Sequence, residues 1–309
     1  MMIPDKMIVK VDNLRITYNR GKTEALRGVS FEVGEGEIFG LIGPDGAGKT
    51  SLFRILTTLI LADSGTAVVD GMDVVKDYRK LRRNIGYMPG RFSLYQDLTV
   101  EENLSFFATV FNSSIKENYH LIEEIYSQIE PFKDRRAGKL SGGMKQKLAL
   151  CCALIHAPRV LFLDEPTTGV DPVSRKEFWE MLRNLRRNYG LTVLVSTPYM
   201  DEAVQCDRIG LIQNGRFLTI DSPAGIVAAY RQTLWAVRSD KMHRLLTDLR
   251  TIPGVLTSFA FGENHHITVD AAKLNPDSLR SQLEALGHRD ITIEAVKPTI
   301  EDCFMNLQE

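Results

Sequence analysis

Five largely apolar residues, Ile38-Phe39-Gly40-Leu41-Ile42, run straight into Gly43-Pro44-Asp45-Gly46-Ala47-Gly48-Lys49-Thr50. Leu52, Phe53, Ile55, Leu56 and Leu59 then recur at helical spacing. This spacing predicts a strand buried on both faces, a tight glycine-rich loop and a helix. The loop fits G-x-x-x-x-G-K-[ST], in the strand-before, helix-after setting that the pattern requires. Glycines let backbone N–H groups curl around anionic oxygens where side chains would intrude. The helix behind the loop points its positive end at the same place. Lys49 adds a mobile charge for the β- and γ-phosphates of a nucleotide, and Thr50 a hydroxyl for Mg²⁺. Gly43, Pro44, Asp45, Gly46, Ala47, Gly48, Lys49, Thr50 and Ser51 are the expected cradle. The bare letters arise by chance in about one chain in a hundred of this length. The flanking strand and helix make a fortuitous turn the weaker reading.

Two further segments fit the same chemistry. Val160-Leu161-Phe162-Leu163 is an apolar strand ending in Asp164-Glu165, 115 residues after Lys49. A carboxylate there stands at the C-terminal edge of the sheet, beside the loop. Asp164 is expected to hold Mg²⁺ and Glu165 to polarise a water aimed at the γ-phosphate. Alone, an acidic strand end is weak; after the loop it gains weight. Leu140-Ser141-Gly142-Gly143-Met144 then opens a helix with a second anion-binding nest. Alone it is a flexible turn.

The order of the three segments resembles the ABC ATPase family, over residues Met7 to Gly225. The resemblance implies an α/β fold: a P-loop NTPase core with a RecA-like, mostly parallel sheet. It adds an N-terminal antiparallel β subdomain and a helical signature subdomain at about 91–157. It also implies an ATP-binding subunit of an ABC transporter that hydrolyses ATP, with ATP and Mg²⁺ as ligands. Two such cassettes dimerise head to tail, as a homodimer or heterodimer. Each ATP then lies between one subunit's Lys49 loop and Ser141, Gly142, Gly143 and Asp171 of the other. Asp171, in Gly169-Val170-Asp171-Pro172, matches the family's D-loop. Tyr18 matches an aromatic that stacks on adenine, with a plain strand tyrosine as the alternative, and Ala25 lines the same pocket.

Two side chains of that pattern are missing. After Gly86-Tyr87-Met88-Pro89 the family has Gln, whereas this chain has Gly90. After the strand expected at Thr192–Ser196 it has His, whereas in this chain Ser196-Thr197 is followed by Pro198. Gln96, six residues beyond Gly90, reaches the site only if the loop is remodelled. Phosphoryl transfer depends on positioning and charge stabilisation, so the chain is expected to bind Mg-ATP and turn it over slowly. A nucleotide-sensing regulatory subunit with negligible hydrolysis is the alternative, and a soluble ABC ATPase unconnected with transport is another.

Alternation of strands and helices continues to about Gly225, and a linker is expected at 226–232. Residues 233–309 read as β-α-β-β-α-β, a small ferredoxin-like α+β domain. The tail Pro298-Thr299-Ile300-Glu301-Asp302-Cys303-Phe304 resembles the end of cassettes from drug-export-type systems. Its plainer reading is a capped helix with Phe304 packed inward. The resemblance implies export, with ABC-2-type membrane permease subunits as partners and a place on the inner face of the cell membrane. The surface facing them is expected at Arg91 to Leu98 and the helices that follow. The formal net charge is −1, from 38 Lys plus Arg and 39 Asp plus Glu. That balance disfavours a nucleic-acid binder. Four cysteines without a C-x-x-C pair argue against a zinc site. No apolar run approaches the ~20 residues of a membrane helix, so no transmembrane segment is expected.

Overall fold

The computed structural model describes residues 6–19 and 21–308. Residues 1–5, Arg20 and Glu309 lie outside the described residues, and with them the outer limits of the two expected domains. The chain divides into two compact units, 1–223 and 224–309.

In the first unit the chain order is β1 (Met7–Tyr18), β2 (Thr23–Gly34), β3 (Ile38–Ile42), α1 (Lys49–Leu56), β4 (Ser64–Val69), β5 (Met72–Asp73), α2 (Tyr78–Asn84) and β6 (Ile85–Met88). It continues with α3 (Val100–Val110), α4 (Tyr119–Tyr126), α5 (Gly142–Leu154), β7 (Val160–Asp164), α6 (Pro172–Tyr189), β8 (Thr192–Thr197), β9 (Arg208–Gln213) and β10 (Arg216–Asp221). An antiparallel sheet has the order β2-β1-β4-β5. A second sheet, β10-β9-β3-β8-β7-β6, is parallel from β9 to β6 and carries β10 antiparallel on one edge. Every residue of β3, β7 and β8 is buried. This explains why Ile38–Ile42 and Val160–Leu163 read as apolar runs. The parallel register pairs Ile42 with Thr197 and Asp164 with Ser196, so three strand ends finish at one edge.

Local chemistry sets the helix ends. Thr99 and Glu102 form a capping box at the start of α3, with Thr99 Oγ1 accepting from the Glu102 N–H and Glu102 from the Thr99 N–H. Helix α4 stops at Tyr126, and a 3₁₀ turn, Glu130–Phe132, follows with Pro131 unable to extend the ladder. Helix α6 runs for 18 residues. Asp171 caps it, Pro172 occupies the first turn, and Gly190 ends it at φ 66°. Strand β1 keeps pairing with β2 through register shifts around Asp12 and Asn13.

The second unit contains α7 (Pro223–Ala229), β11 (Thr233–Arg238), α8 (Met242–Leu249), β12 (Val255–Phe261), β13 (Asn264–Val269), α9 (Pro276–Ala285), β14 (Thr292–Ala295) and α10 (Ile300–Asn306). Residues 226–229 of the expected linker are the end of α7. The sheet order β12-β13-β11-β14, antiparallel throughout, is the ferredoxin-like arrangement. One face buries Trp235, Val237, Ile267 and Val269 against Leu245, Leu249, Leu279 and Leu283. In α10, Asp302 closes a capping box with Thr299 and accepts from His266 Nδ1 at 2.6 Å, while Phe304 is buried.

Candidate functional site

The edge where β3, β7 and β8 finish collects the loop and the acidic pair. Gly43 is irreplaceable by geometry: a Cβ there would lie 2.1 Å from the Ile212 carbonyl oxygen. Gly48 has φ 107°, and its Cβ would meet the Ala25 carbonyl oxygen at 2.4 Å. The loop is therefore pressed onto β2 at Ala25. Gly46 also has positive φ, 78°. Pro44, Asp45 and Gly46 are exposed, and Ala47 is buried with its carbonyl accepting from the Gly215 N–H.

Lys49 leaves this loop with its side chain 3% exposed. Its Nζ donates to the carbonyls of Gly43 at 2.7 Å and Pro44 at 3.0 Å, and lies 3.3 Å from Glu165 Oε1. The Thr50 hydroxyl donates to Asp164 Oδ1 at 3.2 Å. The lysine and threonine of the loop thus each meet one carboxylate of the acidic strand end. Tyr18 stands beside them, with its hydroxyl donating to Ser51 Oγ at 3.1 Å. Burial pushes the Tyr87 phenol up to about 12, and the Asp164 carboxylate adds to the effect.

Ser196 was not legible as a site residue, although it binds both members of the acidic pair. Its buried hydroxyl donates to Asp164 Oδ1 at 2.6 Å and accepts from the Glu165 N–H at 3.1 Å. Glu165 is held at φ 51°, a left-handed conformation unusual outside glycine. The sequence signal is slight: one polar residue closing the run Val193-Leu194-Val195.

Ser141, Gly142, Gly143 and Asp171 gather at a separate place. Ser141 caps α5, its hydroxyl accepting from the Met144 N–H at 3.3 Å. A Cβ on Gly142 would face the Gly169 carbonyl at 3.5 Å, and one on Gly143 would be 2.9 Å from Ser174 Oγ. Asp171 accepts from the N–H groups of Ser174 and Val173, and the Ser174 bond is the chief cause that holds its carboxyl below the usual range. Among the described residues no hydrogen bond or ion pair links this group to residues 43–51, 164 or 165. Ser141, Gly142 and Asp171 are exposed.

Of the two departures, Gly90 lies beside the acidic strand end and Pro198 follows the end of β8. A Cβ on Gly90 would lie 3.0 Å from the Asp164 carbonyl oxygen and 3.7 Å from Glu165 Cβ. Pro198 follows Thr197, whose carbonyl accepts from the Gly43 N–H at 3.3 Å. Gln96 is elsewhere, with its carbonyl accepting from the Gly138 N–H at 2.9 Å. Besides the site, an apolar groove of about 430 Å³ opens between β6, α3 and α5, lined by Leu59, Tyr87, Phe92, Leu94, Phe107 and Phe111 among others. Among the described residues no helix is long and apolar enough to cross a membrane.

Residues 26–168 match the family described as ABC transporter. The probable multidrug ABC transporter ATP-binding protein YbhF of Escherichia coli (strain K12) is 41% identical over 228 residues, 73% of this chain and 39% of its own length. The chain thus spans about two fifths of that relative. The Nod factor export ATP-binding protein I of Rhizobium sp. (strain N33) is 34% identical over 303 residues, 97% of each chain. The ATP-binding cassette MJ0796, solved as a dimer in a post-hydrolysis state bound to ADP and Pi, superposes with a TM-score of 0.63 at 27% identity, covering 69% of this chain and 98% of that one.

Proposed function

Because the chain belongs to the ABC transporter family, we propose that it is the ATP-binding subunit of an exporter, coupling ATP binding and hydrolysis to movement of ABC-2-type membrane permease subunits. The observation that carries this reading is the meeting of Lys49 and Thr50 with Glu165 and Asp164 at one sheet edge. The inward backbone of 43–50 and the Lys49 ammonium take the phosphates. Tyr18 and Ala25 flank the adenine end. Phosphate oxygens compete with the Gly43 and Pro44 carbonyls for the ammonium, so nucleotide binding loosens Lys49 from Glu165 and leaves that carboxylate for a water.

Thr50 and Asp164 are hard oxygen donors in hydrogen-bond contact, which fits Mg²⁺. No group of three or more His, Cys, Asp or Glu side chains suited to a metal occurs among the described residues. A two-donor site suits an ion that keeps waters and nucleotide oxygens in its shell. When bound, Mg²⁺ neutralises developing phosphate charge. Ser196 keeps Asp164 and Glu165 oriented towards the loop. Ser196→Ala is expected to lower turnover about tenfold, the scale of one lost hydrogen bond to a charged group. It also raises the Mg²⁺ concentration needed, while ATP affinity stays near wild type. Ser196→Thr retains most of the activity. Magnesium titrations of steady-state turnover check this, and an unchanged Mg²⁺ requirement in the alanine variant counts against it.

The exposed Ser141-Gly142-Gly143 turn and Asp171 support a head-to-tail dimer in which they close over a partner's nucleotide. That the similar cassette MJ0796 is solved as a dimer supports dimerisation. The apolar groove beside Arg91 to Leu98 suits a permease helix and would hold the chain peripherally at the inner face of the cell membrane. The domain division in this reading is an ATP-binding domain at 1–225 and an accessory domain at 233–309. Gly90 and Pro198 favour slow turnover in this chain's own site, and they also support a second reading, a nucleotide-sensing subunit without useful hydrolysis. Turnover by the purified protein, alone and with its permease, separates the two. The expected result is slow hydrolysis, stimulated by the permease and abolished by Glu165→Gln. Brisk hydrolysis by the isolated protein overturns the slow-site reading, and none under either condition favours the sensor.

A further inference from the structure

Helix α2 and the loop beside it form a basic, apolar-studded surface that takes no part in the nucleotide chemistry. Residues 76–83, Lys76-Asp77-Tyr78-Arg79-Lys80-Leu81-Arg82-Arg83, hold five cations and one carboxylate in a chain whose net charge is −1. Leu81 is fully buried and fixes the helix face. Arg79 and Arg83, four residues apart, therefore point away from the core, with Lys80 and Arg82 flanking them. All five cations are exposed, and none is in an ion pair among the described residues. The nearby carboxylates are occupied by backbone. Asp73 accepts from the N–H groups of Val75 and Lys76, and Asp77 from that of Asp73.

Aliphatic side chains stand next to these cations. Arg82 donates to Thr58 through Nε at 2.7 Å and Nη2 at 2.8 Å, which ties α2 to the loop carrying Leu59 and Leu61. Leu59 is 54% exposed, Leu61 70% and Val75 53%. Tyr78, the aromatic of the patch, is covered by the guanidinium groups of Arg79 and Arg82 at 5.7 and 5.3 Å.

We propose that this surface binds anionic phospholipid directly, with Lys76, Arg79, Lys80 and Arg83 against headgroup phosphates and Leu59, Leu61 and Val75 in the interfacial zone. Charge complementarity selects an anionic partner, and exposed aliphatics beside long basic side chains suit a headgroup–acyl boundary. A nucleic-acid surface needs aromatic faces free for stacking, whereas the Tyr78 ring is taken by its own arginines. The proposal is independent of the nucleotide chemistry. It gives the chain a membrane contact of its own, beside the groove that Leu59 and Arg82 also line.

The test uses the full chain without nucleotide or permease, sedimented with phosphatidylcholine vesicles that do or do not contain phosphatidylglycerol. Binding is expected only to the anionic vesicles at about 0.1 M salt, and to weaken sharply towards 1 M as screening shortens to ~3 Å. Arg79→Gln with Lys80→Gln and Arg83→Gln is expected to lower the partition coefficient about 100-fold, roughly fivefold per cation. Leu59→Ser with Leu61→Ser lowers what persists at high salt. The single variant Arg83→Gln, about fivefold weaker, serves if the triple variant fails to fold. Equal binding to both vesicles, no binding, variants that match wild type, or tighter binding to duplex DNA than to anionic vesicles each overturn the proposal. ATP turnover by the isolated protein is unaffected in the Arg79, Lys80 and Arg83 variants, none of which lines the groove, so a failure here and a failure of the transport reading are distinguishable.

Discussion

Lys49→Ala lowers ATP affinity by about 10²- to 10⁴-fold while the protein stays folded. The magnitude follows from two lost hydrogen bonds from a charged donor to phosphate, at roughly 1.5–3 kcal/mol each. The ammonium is almost wholly buried, and its present partners are two loop carbonyls and the Glu165 carboxylate. An ammonium kept there without nucleotide needs no large movement to meet phosphate. Its removal leaves Glu165 without its counter-charge beside an incoming anion, which adds repulsion to the lost attraction. Lys49→Arg does not restore binding, because a planar fork replaces a compact point charge in a space bounded by the loop backbone. Calorimetric titration with Mg-ATP, beside a far-UV spectrum for folding, makes the measurement. Affinity unchanged in a folded Lys49→Ala protein removes the basis of the nucleotide reading.

The cradle was legible because its chemistry is local. Glycine at 43, 46 and 48, lysine at 49 and threonine at 50 are fixed by the conformation of one short loop. The structure supplies reasons for two of the glycines in the carbonyls of Ile212 and Ala25. The buried strands were legible for a similar reason, since a strand covered on both faces must be apolar throughout. Ser196 was hidden because its role depends on the register of β7 against β8, which pairs it with Asp164 across 32 residues of chain. Strand β10 escaped because its residues are half-exposed and alternate poorly. Helix α2 escaped because a single buried leucine, Leu81, anchors seven residues of mostly charged sequence. The missing Gln and His were visible as letters, but that Gly90 lies against Asp164 and Glu165 is a tertiary fact.

Gly90→Gln combined with Pro198→His raises turnover about 10²- to 10³-fold, the range associated with one well-placed stabilising donor in a transition state. Gly90 lacks positive φ, and a Cβ there comes within 3.0 Å of the Asp164 carbonyl oxygen, so the neighbour must yield by a few tenths of an ångström. Position 198 immediately follows the residue whose carbonyl holds the first glycine of the loop. A ring nitrogen there gains a donor that proline lacks even in its backbone. The cradle, the acidic pair and Ser196 are already assembled, so the gain falls on kcat and leaves KM near its starting value, the signature of an interaction made only in the transition state. Each single variant gives part of the gain, and adding Glu165→Gln to the pair returns turnover to the baseline. A folded double variant that turns over no faster than wild type means that the two departures do not limit the reaction, and the slow-site reading then falls.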